Sequence, residues 1–206
     1  MTYSGQRRST PKVVDGTVQK KNRHDPTPSI WNNTSAHLLF EKDRPGKGFF
    51  HAVSKSDLKA FIDLIPNWNE LSVGLKGIRL VEWDDEADAW YDHDRVICLC
   101  AWDRELWRYV TDAFYQEHRE LLERLGVPVE ESDGDWLCKY TPETARAYQL
   151  LHVFLHELGH HHDLMTTGRK KYPGRGENYA DNFAFKYEVL IWEGYSDTFG
   201  LPKAST

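Results

Sequence analysis

The stretch from Thr141 to His160 constrains the fold more than any other part of the sequence. Thr141-Pro142-Glu143 is typical of a helix start, because threonine caps the first turn, proline suits its first position and a carboxylate favours the positive helix end. The residues that follow are unusually apolar: Leu150, Leu151, Val153, Phe154, Leu155 and Leu158. Such a helix has to pack inside the protein. We therefore predict a buried helix from Pro142 through His160 or slightly beyond.

This helix carries the pattern His156-Glu157-x-x-His160. The two histidines are four residues apart, so both imidazoles project from one helix face toward a common point. Neutral imidazole is a good ligand for Zn²⁺, and two such ligands leave room for a third ligand and a water molecule. Glu157 lies about 100° around the helix from His156, where its carboxylate can take a proton from that water. We predict one Zn²⁺ ion with Glu157 as general base, whereas His161 and His162 point elsewhere and are expected to be solvated.

Helix geometry leaves two residues as candidates for the third zinc ligand. His152 is about 12 Å from His160 along the helix axis, which is too far for one shared ion. Asp163 is about 10.5 Å from His156 and reaches the ion only if the helix is broken. Glu177 belongs to the next predicted helix and meets no such limit. Both Glu177 and Asp163 remain candidate ligands.

The pair Glu177-x-x-x-Asp181 downstream of the HExxH pattern resembles the gluzincin branch of the zincin metallopeptidases. Residues 176–184 look more like the small intracellular metallopeptidases related to phage-repressor-cleaving proteins, and the resemblance covers about residues 148–190. It implies that Glu177 is the third zinc ligand and that Asp181 orients His156. It also implies a zinc metallopeptidase that hydrolyses peptide bonds and takes a peptide or a protein as its substrate.

Two features depart from the gluzincin pattern. The gap between His160 and Glu177 is shorter than in thermolysin, and no downstream histidine is evident that would stabilise the transition state. Tyr172 and Tyr179 lie close to the motif in sequence and are candidate hydrogen-bond donors to an oxyanion.

The remaining patterns predict an α+β, zincin-like fold, in which a small antiparallel or mixed sheet packs on the HExxH helix and a backing helix. Alternating apolar residues predict strands at 77–83 and 95–101, which we expect to pair as an antiparallel hairpin around an acidic turn at 84–88. The strand at 95–101 is expected to be the edge strand over the cleft. Further predicted elements are helices at 56–65, 103–125 and 177–193 and a short strand at 136–140.

The 206 residues suit one domain. Residues 1–28 hold six basic and two acidic residues and three prolines, which predicts a disordered basic tail before a single domain at 29–200 and a short tail at 201–206. The net charge of -6 argues against nucleic acid as a partner. We find no run of the roughly 20 apolar residues that a membrane span needs, and no secretory signal. Three irregularly spaced cysteines predict reduced thiols, so we expect a cytoplasmic protein without a membrane partner.

Two alternatives to a peptidase stay open at this point. A non-catalytic binding or regulatory protein could keep the metal helix for stability, and it would tolerate Glu157→Gln. A zinc hydrolase of non-peptide amides would use the same residues on smaller substrates. The patterns do not decide the cleavage specificity or the oligomeric state.

Overall fold

The structure is a computed structural model that describes residues 29–31, 37–168 and 173–200, and the backbone of two short strands before them. These strands, β1 (Val13–Val14) and β2 (Thr17–Val18), pair with each other in antiparallel fashion. The other residues of the predicted tail at 1–28, and the predicted C-terminal tail at 201–206, lie outside the described residues. The described part of the chain is a mixed α+β protein, which confirms the predicted class at that level.

A four-stranded mixed sheet supports the HExxH region. Its strands are β3 (Leu39–Lys42), β5 (Gly77–Val81), β6 (Ala89–Asp92) and β7 (Val96–Cys100), in the spatial order β3-β5-β7-β6. The first three in that order run parallel, and β6 runs antiparallel to β7. All five residues of β7 are buried because it lies between two neighbours, whereas β6 forms one edge of the sheet.

The predicted hairpin between 77–83 and 95–101 is wrong, because these two strands are parallel neighbours. The true hairpin joins β6 to β7 through a tight turn in which Asp92 accepts hydrogen bonds from the backbone N–H groups of Asp94 and Arg95. The short strand β6 was not predicted, because its four residues alternate only weakly between apolar and polar. The prediction that 95–101 forms the edge over the cleft is also wrong, and β6 holds that position.

A second sheet of three antiparallel strands has the order β10-β11-β9. It consists of β9 (Trp107–Val110), β10 (Val129–Ser132) and β11 (Asp135–Lys139). Asp133 and Gly134, both at positive φ, form the two-residue turn of its hairpin, as is typical of Asp-Gly. The predicted strand at 136–140 is thus confirmed to within one residue. A two-stranded sheet of β4 (Phe49–Phe50) and β8 (Trp102–Asp103) completes the strands of the described residues.

The helices differ from the predictions mainly at their ends. They are α1 (Lys55–Ile62), α2 (Trp68–Leu71), α3 (Asp112–Leu125), α4 (Pro142–Tyr148), a π-helical segment (Gln149–Phe154), α5 (Leu155–Thr166) and α6 (Glu177–Phe199). The helix predicted at 103–125 begins only at Asp112, since β9 pairs with β11. The helix predicted at 177–193 continues past Gly194 to Phe199, because Tyr195 is buried in the core against Phe61.

Residues 142–166 form one continuous helix, hereafter the HExxH helix, made of α4, the π-helical segment and α5. Its predicted start is confirmed: Thr141 and Thr144 cap it reciprocally, each side chain accepting from the backbone N–H of the other at 3.2 and 2.8 Å. Gly159 sets the distance to α6, because a Cβ atom at this position would lie 2.9 Å from Cα of Ala180. The close crossing places the first turn of α6 beside the histidines.

The core of the protein surrounds this helix pair. Leu155 and Leu158 are fully buried, and Phe154 packs edge-on against Phe61 of α1. All three cysteines are buried free thiols. Within the described ranges, no helix has the length and apolar character to cross a bilayer.

Candidate metal centre

Three side chains from two helices meet at one point. Nε2 of His156 lies 3.1 Å, and Nε2 of His160 lies 3.3 Å, from the same Oε2 atom of Glu177. The histidines come from α5 and the carboxylate comes from the first residue of α6. The structure therefore brings together the two predicted ligands and one of the two candidates for the third.

These separations fit a zinc ion. A tetrahedral zinc site with bonds of about 2.0–2.1 Å holds its ligand atoms about 3.3 Å apart. The three ligand atoms, two imidazole nitrogens and one carboxylate oxygen, all lie within 4.8 Å of one another. This donor set, which leaves one position open, is that of many hydrolytic zinc sites.

Asp181 sets the tautomer of His156. Its Oδ1 atom lies 2.7 Å from Nδ1 of His156, and a carboxylate can only accept a hydrogen bond, so Nδ1 carries the proton. In the neutral imidazole, Nε2 then points a lone pair at the Glu177 oxygen, which is itself an acceptor. A cation between the two atoms removes this repulsion, and a zinc ion suits both of them.

Glu157 lies on the wall of the same cavity, which has a volume of about 370 Å³ and is also lined by residues 89–91 of β6 and by Pro173. The Glu157 side chain is buried, and its carboxylate accepts a hydrogen bond from the backbone of Tyr91. Burial, with the negative charge of Glu177 beside it, raises the pKa of Glu157 to about 8. A cation at the histidines would act in the opposite direction and favour the carboxylate.

Asp163, the other candidate for the third ligand, faces away from the histidines. Its side chain is fully buried, accepts a hydrogen bond from the backbone N–H of Arg175 at 2.6 Å, and pairs with the Arg175 guanidinium at 3.2 Å. The helix is unbroken at this position, which is why Asp163 cannot turn toward His156. Its observed contacts instead anchor the segment that leads into α6.

The structure does not bring Tyr179 to the cavity. The Tyr179 hydroxyl lies 2.6 Å from Nδ1 of His162, the two rings stack, and the Arg175 guanidinium lies 4.1 Å from the tyrosine ring. Tyr172, the second candidate oxyanion donor, lies outside the described residues. The half-buried His162 is thus a partner of Tyr179.

The prediction that His161 is solvated is wrong, since its side chain is fully buried. Nε2 donates to the carbonyl oxygen of Val73 at 3.1 Å, which leaves Nδ1 to accept from the Tyr91 hydroxyl at 2.8 Å. Burial lowers the pKa of His161 to about 4, so the ring is neutral. It connects the HExxH helix to the edge strand β6. The position of His161 on its helix does not predict this contact, because the strand β6 that covers this face was not predicted.

A second group of buried polar side chains lies behind the candidate ligands. Nε2 of His118 is 2.9 Å from Nε2 of His152, and Nδ1 of His118 donates to the carbonyl oxygen of Phe114. Nδ1 of His152 lies 3.9 Å from Oε2 of Glu188, and neither atom has a hydrogen-bond partner among the described residues. Burial raises the pKa of Glu188 to about 7. His118 and Glu188 come from two different helices and share no motif, so the sequence does not predict that they meet.

Comparisons of the chain with protein-family models, with curated proteins and with solved structures found no match.

Proposed function

We propose that the protein is a zinc-dependent peptidase. The observation that carries the proposal is the convergence of His156 and His160 on one oxygen of Glu177, with Asp181 bonded to the far side of the His156 ring. Around this point lie a buried carboxylate, an open cavity and the edge of a sheet. Together these are the parts needed to hold an amide and deliver water to it.

When bound, zinc lowers the pKa of a coordinated water to about 7 and polarises a substrate carbonyl. Glu157 is positioned to take the proton from the attacking water, because its carboxylate lies in the same cavity without converging on the ligand atoms. The hydrogen bond from the Tyr91 backbone restricts the carboxylate to this place. The same group then donates the proton to the departing amine.

The edge strand β6 supports a peptide rather than a small amide as the substrate. Ala89, Trp90 and Tyr91 line the metal cavity, and one side of β6 has no neighbouring strand in the four-stranded sheet. An extended peptide can add to such an edge through backbone hydrogen bonds. It would then run directly past the ligand atoms.

The test uses the full-length protein loaded with one equivalent of Zn²⁺ and incubated with a mixed-sequence peptide pool, with new termini identified by mass spectrometry. We expect cleavage by the wild type, and no cleavage by Glu157→Gln although this variant keeps its zinc. A parallel set of non-peptide amides separates a peptidase from a general amide hydrolase. Stoichiometric zinc binding with every substrate intact in both proteins would instead indicate a non-catalytic metal-stabilised protein.

A further inference from the structure

The cavity at the metal ligands is one end of a longer groove. A neighbouring cavity of about 240 Å³ shares Ala89, His156 and Glu157 with it. That neighbour in turn shares Asp88 and Tyr148 with a third cavity of about 420 Å³, which residues 83–88 and 107–110 border. We call this third space the far cavity. The groove thus follows β6 toward its N-terminal end and reaches the acidic segment that precedes it.

The far cavity is strongly acidic. Its lining includes five carboxylates but only one cationic side chain: Asp84, Asp85, Glu86, Asp88, Asp103 and Arg108. The charge of Arg108 offsets only one of these carboxylates, because its guanidinium pairs with Asp88 at 2.5 Å and stacks 3.8 Å from the ring centre of Trp102. Asp85 and Glu86 are exposed and have no ion-pair partner among the residues that the structure describes. An excess of negative charge therefore faces the cavity.

Aromatic side chains stand beside these carboxylates. Trp83 and Trp107 line the far cavity and are 39% and 52% exposed, although tryptophan is usually much more buried. Trp83 is held in place by stacking on Phe49 at 4.4 Å. Aromatic faces together with carboxylates attract organic cations, since the ring quadrupole and the charge act in the same direction.

The Tyr148 side chain gives an independent indication of a ligand. Tyr148 is only 2% exposed and lines both the far cavity and the neighbouring one. Its hydroxyl has no hydrogen-bond partner in the described part of the chain, and burial, followed by the nearby Tyr140 and Asp88, raises its pKa well above the usual value. Buried tyrosine hydroxyls normally find a partner. A donor group in the groove would supply one.

We propose that the far cavity binds the lysine or arginine side chain of an extended peptide whose backbone lies along β6. The ammonium or guanidinium group donates to Asp85, Glu86 and the Tyr148 hydroxyl, while its alkyl stem packs on the exposed Trp83 ring. The Trp107 ring already has Nζ of Lys139 5.4 Å from its centre. The position of the backbone rests on the proposed peptidase function. Each extended residue spans about 3.3 Å, so the lysine position that binds best measures how far the far cavity lies from the zinc site along the peptide.

The test measures peptide binding to the full-length, zinc-loaded Glu157→Gln variant, which holds a peptide without cleaving it. The probes are fluorescent alanine-rich peptides with a single lysine at successive positions, and matched peptides with uncharged norleucine there. At low ionic strength we expect the best lysine position to bind about tenfold tighter than norleucine. The preference falls at high ionic strength because salt screens the carboxylates.

Three further variants locate the interaction. Asp85→Asn/Glu86→Gln should reduce the lysine preference to about twofold or less, whereas Glu70→Gln/Glu193→Gln, which removes the same net charge from exposed helix positions, should preserve it. Tyr148→Phe keeps the ring and should lower the preference in part. Equal binding of lysine and norleucine peptides at every position, or an equal loss in both double variants, would overturn the proposal.

The cationic side chain can belong to a separate peptide or to the basic residues 1–28 of this chain. A full-length variant with the six basic residues of that segment changed to glutamine distinguishes the two sources. If this variant binds the lysine probe more tightly than the unmodified chain does, residues 1–28 compete for the site. If the affinity is unchanged, the natural occupant is an external peptide. Both results support the cation site. Cleavage by the wild type without any preference for lysine would refute the cation site and would still support the proposed peptidase function.

Discussion

The carboxylate of Asp181 lies 2.7 Å from Nδ1 of His156, one helix turn beyond the Glu177 carboxylate that faces Nε2 of the same ring. The imidazole is therefore held between two acidic residues of α6, one on each nitrogen. This arrangement makes the orientation of His156 depend on α6 rather than on its own helix. It also explains why the two carboxylates are spaced by four residues.

Removal of Asp181 should weaken metal binding without abolishing it. We expect Asp181→Ala to lower the zinc affinity about 10- to 100-fold, as is usual for a group that orients a ligating histidine. Asp181→Asn keeps an acceptor oxygen and should show a smaller loss. Competition with a coloured chelator measures both, and affinities equal to the wild type would show that Asp181 does not orient the ligand.

Glu177 and Asp163 should respond to substitution in opposite ways. Glu177→Ala is expected to lose stoichiometric zinc while the apoprotein keeps its thermal stability, because this side chain is 74% exposed. Asp163→Ala should keep zinc and lose stability, roughly 2–4 kcal/mol, since it leaves the Arg175 contacts unmade in a buried place. Metal analysis beside thermal unfolding separates the two. Zinc loss only in the Asp163 variant would contradict the ligand assignment.

His161 should contribute to stability and not to the metal. His161→Leu leaves the Tyr91 hydroxyl and the Val73 carbonyl oxygen without their partner, so we expect a loss of about 2–4 kcal/mol in urea unfolding. His93→Leu, at an exposed position, serves as the control and should cost less than about 0.5 kcal/mol. Loss of zinc at unchanged stability in the His161 variant would contradict this role.

Glu188 should make the stability of the protein fall as the pH rises. Its pKa is raised from 4.5 to about 7 in the folded protein, so between these values the folded state holds a proton that the unfolded chain has released. The free energy of unfolding therefore decreases across this window, by about 1–3 kcal/mol from this group. Glu188→Gln should flatten that part of the profile. Identical slopes for both proteins in urea titrations from pH 4.5 to 7.5 would refute the assignment.

The sequence predicted the parts of the site that depend on one helix and its neighbour. The histidine spacing, the Thr141 start and the shared face of the two α6 carboxylates follow from helix periodicity, whereas the pairing of Asp181 with His156 was implied by the gluzincin resemblance. The structure places these residues at those positions. The edge strand β6 was missed because its identity depends on pairing with β7 rather than on its own residues. The buried contacts of His118 and Glu188 were missed for the same reason, since each joins residues far apart in sequence.

The close contact between Gly159 and Ala180 limits how the HExxH pattern can vary in this protein. The pattern names three residues and leaves positions 158 and 159 free, yet any side chain at 159 would meet the backbone of α6 at 2.9 Å. To make room, α6 would have to move outward and carry Glu177 and Asp181 away from His156. The residue at position 159 therefore sets the distance between the HExxH helix and α6, and with it the positions of Glu177 and Asp181. A library that randomises it should recover glycine whenever zinc retention is selected.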